Sequence, residues 1–194
     1  MVSVVIPEKI TSIGKSAFSG CTALEDIRFC ATAMDDLASN NWIFAKAGRD
    51  GSGITVTIAK NVTRIPTYLF CPVASSSETP NIVQVIFEEE SVCESIGRQA
   101  FYYCSSLRKI VIPEYTTSID YYTFYNCTNL VTVQIESHTI AQEITSAASC
   151  GFLCQYAETI LIPEKVSTVG AYIVDNFIYE EKMTCDGVRY SVFS

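Results

Sequence analysis

The sequence predicts a β-rich solenoid with a parallel main sheet and little α-helix. Three observations carry that prediction. One block recurs: Ile-Gly-x-x-Ala-Phe-x-x-Cys-x-x-Leu-x-x-Ile-x-Ile runs from Ile96 to Ile112. Ile119, Phe124, Cys127, Leu130, Val133 and Ile135 repeat it at the same offsets. The step is 23 residues from Phe101 to Phe124 (124 − 101 = 23), and Cys104 to Cys127 gives the same. A fixed period in this range marks stacked units, each burying its apolar side only against its neighbours. Within a unit, Leu-x-x-Ile-x-Ile alternates apolar and variable residues, the pattern of a strand with one buried face. Finally, several units close in Ile-Pro, as at Ile6-Pro7, Ile112-Pro113 and Ile162-Pro163. Proline has no amide hydrogen for a ladder and ends the strand.

Taken in order, main strands are expected at 2–6, 24–29, 54–58, 82–87, 107–112, 130–135 and 157–162. Successive turns of a solenoid run the same way, so these strands should pair in parallel. After each Ile-Pro, Val-Thr-x-Ile-Gly reads as a second, shorter extended stretch. It is ended by a glycine (Gly14, Gly97, Gly170), a residue that tolerates positive φ. Ala-Phe-x-x-Cys then turns the chain and plugs the core with a ring. Ile58 to Phe70 is a weaker copy, with Val62, Ile65, Leu69 and Phe70 in register and Pro66 replacing the glycine. Residues 30–53 carry an insertion in which 33–44 reads as a short helix and Phe44 takes the role of Phe18. Residues 71–81 are rich in turn formers. The pattern degrades over 139–156. Near the end, Asp186-Gly187 lies between alternating segments, a hairpin signal. The expected organisation is therefore repeats over 1–180, with irregular units at 30–53, 71–81 and 139–156. Residues 181–194 are expected to form a hairpin cap or to open a further module. The first strand begins without a polar cap, so the natural protein is expected to continue upstream.

Composition narrows the function classes. The net charge is −8, with both signs well mixed. A phosphate-binding surface needs a basic stripe, so nucleic acid is not the expected partner. No apolar run reaches the roughly 20 residues that cross a bilayer, so no membrane insertion is expected. The start has no basic region and no cleavage-type ending, and reads as a strand, not a signal peptide. Nine cysteines is an odd number, so they cannot all pair within the chain. Cys21, Cys104 and Cys127 share one repeat position, where a small apolar side chain is a packing choice. Buried thiols are expected.

Motifs that would carry catalysis have structural readings. Gly14-Lys15-Ser16 resembles the end of a phosphate loop, but Lys9 stands where that loop needs a glycine. The segment Gly48-Arg49-Asp50-Gly51-Ser52-Gly53 precedes a strand, not a helix. His138 is the only histidine and is expected in an exposed turn. Nucleophilic catalysis would need it beside a nucleophile and an orienting partner. A cysteine hydrolase on Cys150 or Cys154 is the minor alternative. Glu88-Glu89-Glu90 reads as a solvated turn, since a hard cation needs converging oxygens. No metal, cofactor or catalytic residue is predicted.

Two surface features point to binding. The variable strand positions form outward columns that include Arg28, Lys109 and Val111. They make a mixed surface suited to protein recognition, or a plain solvated sheet. Tyr102 and Tyr125 share one repeat position, and Tyr68, Tyr122 and Tyr172 share another. Stacked turns would make them an aromatic ladder outside the core. Tyrosine brings large contact area and a hydroxyl at modest entropic cost. Shielding of the solenoid's edge is the alternative.

These units closely resemble the BspA-like class of leucine-rich repeat. The segments 6–29, 96–113 and 112–135 match its pattern closely, and 162–170 matches over the first half. The resemblance implies a right-handed leucine-rich-repeat superhelix whose motif residues are core residues, with no catalytic residues to carry over. It implies a microbial cell-surface or secreted protein that attaches to host or other cell proteins. A structural spacer within a larger surface protein is the alternative role.

Overall fold

The computed structural model describes residues 1–71, 76–143, 156–162 and 189–191. Seven short strands form the front of a parallel solenoid: β1 Ser3–Ile6, β2 Asp26–Phe29, β3 Ile54–Ile58, β5 Ile82–Phe87, β7 Lys109–Ile112, β9 Thr132–Ile135 and β10 Thr159–Leu161. β1, β2, β3 and β5 make one parallel sheet, and β7, β9 and β10 another. A last strand, β11 (Arg189–Ser191), pairs antiparallel with β10. The remainder of the expected hairpin lies outside the described residues. Three two-residue strands, β4 Arg64–Ile65, β6 Ser95–Ile96 and β8 Ser118–Ile119, form a second parallel sheet from the Val-Thr-x-Ile stretches.

β3 and β5 span the residues expected, whereas β2, β7 and β9 start two residues later than the alternation predicts, for a local reason. Each leucine belongs to a turn. Leu24, Leu107 and Leu130 donate their N–H to the carbonyls of Cys21, Cys104 and Cys127 at 2.9–3.1 Å. The side chains stay buried, but the backbone joins the ladder two residues on.

The core is a column of rings. Phe18, Phe44, Phe70, Phe101 and Phe124 stack in succession, with centroids 5.2–5.5 Å apart. Phe44 thus holds the place of Phe18. The expected helix over 33–44 does not form. Its backbone is used in the stack: Ser16, Phe18 and Gly20 donate to the carbonyls of Asn41, Ile43 and Ala45 at 2.8 Å. Asn41 supports that turn, accepting from Ile43 N at 2.9 Å and donating to Tyr68 O at 2.9 Å.

Gly14 and Gly97 do not have positive φ. Left-handed residues recur two places before each core phenylalanine, at Ser16, Trp42, Tyr68, Gln99 and Tyr122, and two places after Phe18, Phe44, Phe101 and Phe124, at Gly20, Lys46, Tyr103 and Asn126. At these places the N–H can point at the next turn. Tyr68 donates to Arg98 O at 3.0 Å, Gln99 to Tyr121 O at 3.1 Å and Tyr103 to Tyr125 O at 2.9 Å. Gly97 is needed for space instead. A Cβ there would lie 2.7 Å from Thr67 N and 2.8 Å from Ile65 O of the preceding turn.

His138 is exposed but opens a six-residue helix, α1 (His138–Glu143), and not a plain turn. Ser137 caps it, its hydroxyl oxygen accepting from Ile140 N at 3.1 Å. Among the described residues every buried side-chain nitrogen and oxygen has a partner.

Candidate binding surface

The outward sheet positions are exposed or half-exposed, and on β2 the pattern alternates strictly: Asp26 and Arg28 out, Ile27 and Phe29 in. Arg28 crosses above β3 to pair with Glu88, beyond the end of β5. Glu88 also accepts from Lys60 N at 3.0 Å. The hydrogen bond from Arg28, with that from Lys60, holds the Glu88 carboxyl below its ordinary pKa. The Arg28 guanidinium is raised in turn.

β5 and β7 are neighbours in the stack but belong to different hydrogen-bonded sheets. One irregularity lies beside the break, on the β3 side of β5. β5 carries a bulge: Ile54 pairs Ile82 while Thr55 pairs Gln84, leaving Val83 over. A bulge bends its strand and disrupts the ladder locally. Step length does not account for the break: Ile86 to Val111 is 25 residues (111 − 86 = 25), while the paired Asp26 and Thr55 stand 29 apart (55 − 26 = 29) and the paired Thr132 and Thr159 stand 27 apart (159 − 132 = 27).

A cleft of about 410 Å³ opens at this break. Ile86, Val111 and Pro113 lie along it with Lys109. The turns Glu88-Glu89-Glu90 and Glu114-Tyr115, together with Glu136, complete the lining. Its volume falls in the range of sites that take a small ligand or a pair of side chains.

The tyrosines form a separate cluster along the arc of turns that carries the phenylalanines. Tyr102 and Tyr125 stack at 5.6 Å with an interplanar angle of 11°. Tyr122 meets Tyr125 edge-on at 5.2 Å, and Tyr103 meets Tyr102 edge-on at 4.6 Å. Burial, with Tyr103 and Tyr125 nearby, raises the Tyr102 hydroxyl. Tyr68 is half-buried two turns away from Tyr122, with Gln99 at the equivalent position between them. Tyr172 lies outside the described residues.

The structure therefore brings Lys109 and Val111 into one cleft, with Arg28 reaching its rim through Glu88. It gathers Tyr102, Tyr122 and Tyr125 elsewhere. Sequence reasoning missed the walls: Glu114, Tyr115 and Glu136, and the part played by Glu88-Glu89-Glu90. The extra apolar residue Val83, which breaks the alternation of β5, was the available signal.

Of the six described cysteines, Cys71, Cys93, Cys104 and Cys127 are buried, and Cys21 and Cys30 are half-buried. Burial pushes Cys71 and Cys93 up to about 12 and Cys104 well above its ordinary value. Cys127 donates its thiol hydrogen to Phe101 O at 3.2 Å. A protonated, buried thiol is a poor nucleophile. Cys150 and Cys154 lie outside the described residues. Among the described residues no cluster of His, Cys, Asp and Glu is placed to hold a metal ion, and no helix is long and apolar enough to cross a membrane.

Comparison with known proteins gives a consistent picture. Six copies of the BspA type leucine rich repeat region match, over residues 1–89 and 74–189. A leucine-rich repeat protein from Bacteroides ovatus ATCC 8483 is similar in structure, with a TM-score of 0.50 and 27% identity. The match covers 69% of this chain and 30% of that one. A leucine rich cell surface protein from Faecalibacterium prausnitzii A2-165 is 23% identical with a TM-score of 0.43, over 71% of this chain and 39% of that one. The chain spans well under half the length of either protein. No curated protein matches it.

Proposed function

The chain belongs to the BspA type leucine-rich repeat family, and from that premise we propose that it is a non-enzymatic protein-binding module of a microbial cell-surface or secreted adhesin. Its partner is a protein of a host or of another cell, and the outward face of the front sheet receives it. The observation that supports this reading is the cleft between β5 and β7, whose lining includes Lys109 and Val111. A surface held by parallel ladders binds with little ordering cost, which favours affinity.

The test is an array of purified host extracellular and cell-surface proteins probed with this chain. Partners found there are then measured against two variants by surface plasmon resonance. Thr55→Arg with Thr132→Arg places bulk on the outward sheet. Tyr102→Ala, Tyr122→Ala and Tyr125→Ala together strip the tyrosine cluster. The expected result is a loss of about tenfold or more in affinity, some 1.4 kcal/mol, for the sheet variant alone. Loss confined to the tyrosine variant, or an array with no protein bound, overturns the reading.

A further inference from the structure

We propose that the cleft between β5 and β7 receives an extended, cationic protein segment, seating an arginine or lysine side chain with its stem on Ile86 and Val111 and its head among the glutamates. The inference rests on the protein-binding reading above and names the chemistry of the partner.

The order of residues along the two strands carries it. β5 runs Gln84, Ile86 and then Glu88-Glu89-Glu90, and β7 runs Lys109, Val111 and then Pro113-Glu114-Tyr115. The cleft is therefore apolar in its middle and anionic at the end where both strands finish. Lys109 stands at the opposite end. Ile86 is 40% exposed and Tyr115 57%, so apolar surface and an aromatic ring are open to a partner. Long cationic side chains are themselves apolar along the stem and charged at the tip, and an open tyrosine face attracts the tip. Two of the acids are already engaged, Glu88 by Arg28 and Glu90 by Lys60 at 4.0 Å. Glu89 and Glu114 are exposed, and Glu136 accepts only from the neutral Gln134 amide, at 2.9 Å. These three carboxylates face a single lysine in the lining.

The site is also preformed. The front sheet parts here, but the second sheet passes behind it unbroken, from β4 through β6 to β8. The phenylalanine stack is likewise continuous from Phe70 to Phe101 to Phe124. The opening is confined to the front, and the turns on either side are held from behind.

The experiment uses a fluorescent glycine–serine peptide bearing three arginines, beside a three-glutamate counterpart and an uncharged one. Anisotropy is read against the folded chain at about 0.05 M and about 0.15 M salt, which spans the screening range of exposed charges. The arginine peptide alone is expected to bind. Glu114→Gln with Glu136→Gln should weaken it about tenfold. Glu8→Gln with Asp35→Asn makes the same change in net charge away from the cleft and should leave affinity within about twofold, since binding in the cleft depends on local contacts and not on the general field. Equal weakening by both variants, or no preference for arginine over the uncharged peptide, overturns the proposal. Array partners still lost on the Thr55 and Thr132 substitutions would then leave the protein-binding reading standing without the cationic cleft.

Discussion

Gly14 and Gly97 hold the same place in the repeat but meet different surroundings. A Cβ at Gly97 would run into the backbone of Ile65, Pro66 and Thr67, whereas nothing lies within 4 Å of one at Gly14. The expected outcome is that Gly97→Ala destabilises the chain by about 1–3 kcal/mol through overpacking. Gly14→Ala should stay within about 0.5 kcal/mol, as open surface changes do. Urea midpoints of the two variants check this directly. The sequence marks the glycine as special, but its reason is steric and not conformational. Most left-handed positions carry tyrosine, glutamine, serine, tryptophan or lysine, so residue type hides them, while Gly20 and Asn126 are of types that favour that region. The inter-turn hydrogen bonds that hold them there become visible only when the turns are stacked.

The seven front strands were legible because alternation is local and each inward residue is buried by the next turn. Their pairing in parallel followed from the repeat itself. The break between β5 and β7 was not legible, because it lies in the missing pairing of two strands that each read as a repeat; the one local sign is the bulge at Val83, which interrupts the alternation of β5. Arg28 and Glu88 tie the sheet face across β3, on the β5 side of that break. Glu88 is held below its ordinary pKa, so the pair's stabilisation is complete above the unfolded carboxylate value, about 4.3. It is lost as pH falls through the lowered folded value. Arg28→Gln removes it. The expected outcome is a stability gap between wild type and variant that is present at neutral pH and closes under acid. The pair is exposed, so the gap should be no more than about 1 kcal/mol. Denaturation midpoints measured across that window check the sign.

Across the whole molecule, stability is carried by contacts between nearest-neighbour turns. Phe101 is fully buried with a stacked ring on each side, while Phe18 is half-buried and stacks on Phe44 alone. Phe101→Ala should cost about 3–5 kcal/mol, and Phe18→Ala distinctly less, because it loses one stacked partner and less burial. Equal losses in calorimetry would mean that the turns do not act as a linear stack. By itself the sequence determined the solenoid, its parallel strands and its column of phenylalanines, because a fixed period repeats the same local solution. It also placed Arg28, Lys109 and Val111 on the outward face. The tertiary structure alone decided that the front sheet opens between two particular turns and that glutamates distant in the chain line the opening. The physical reason is that the cleft arises where two neighbouring front strands do not pair. That missing pairing belongs to two stacked turns together and to neither one alone.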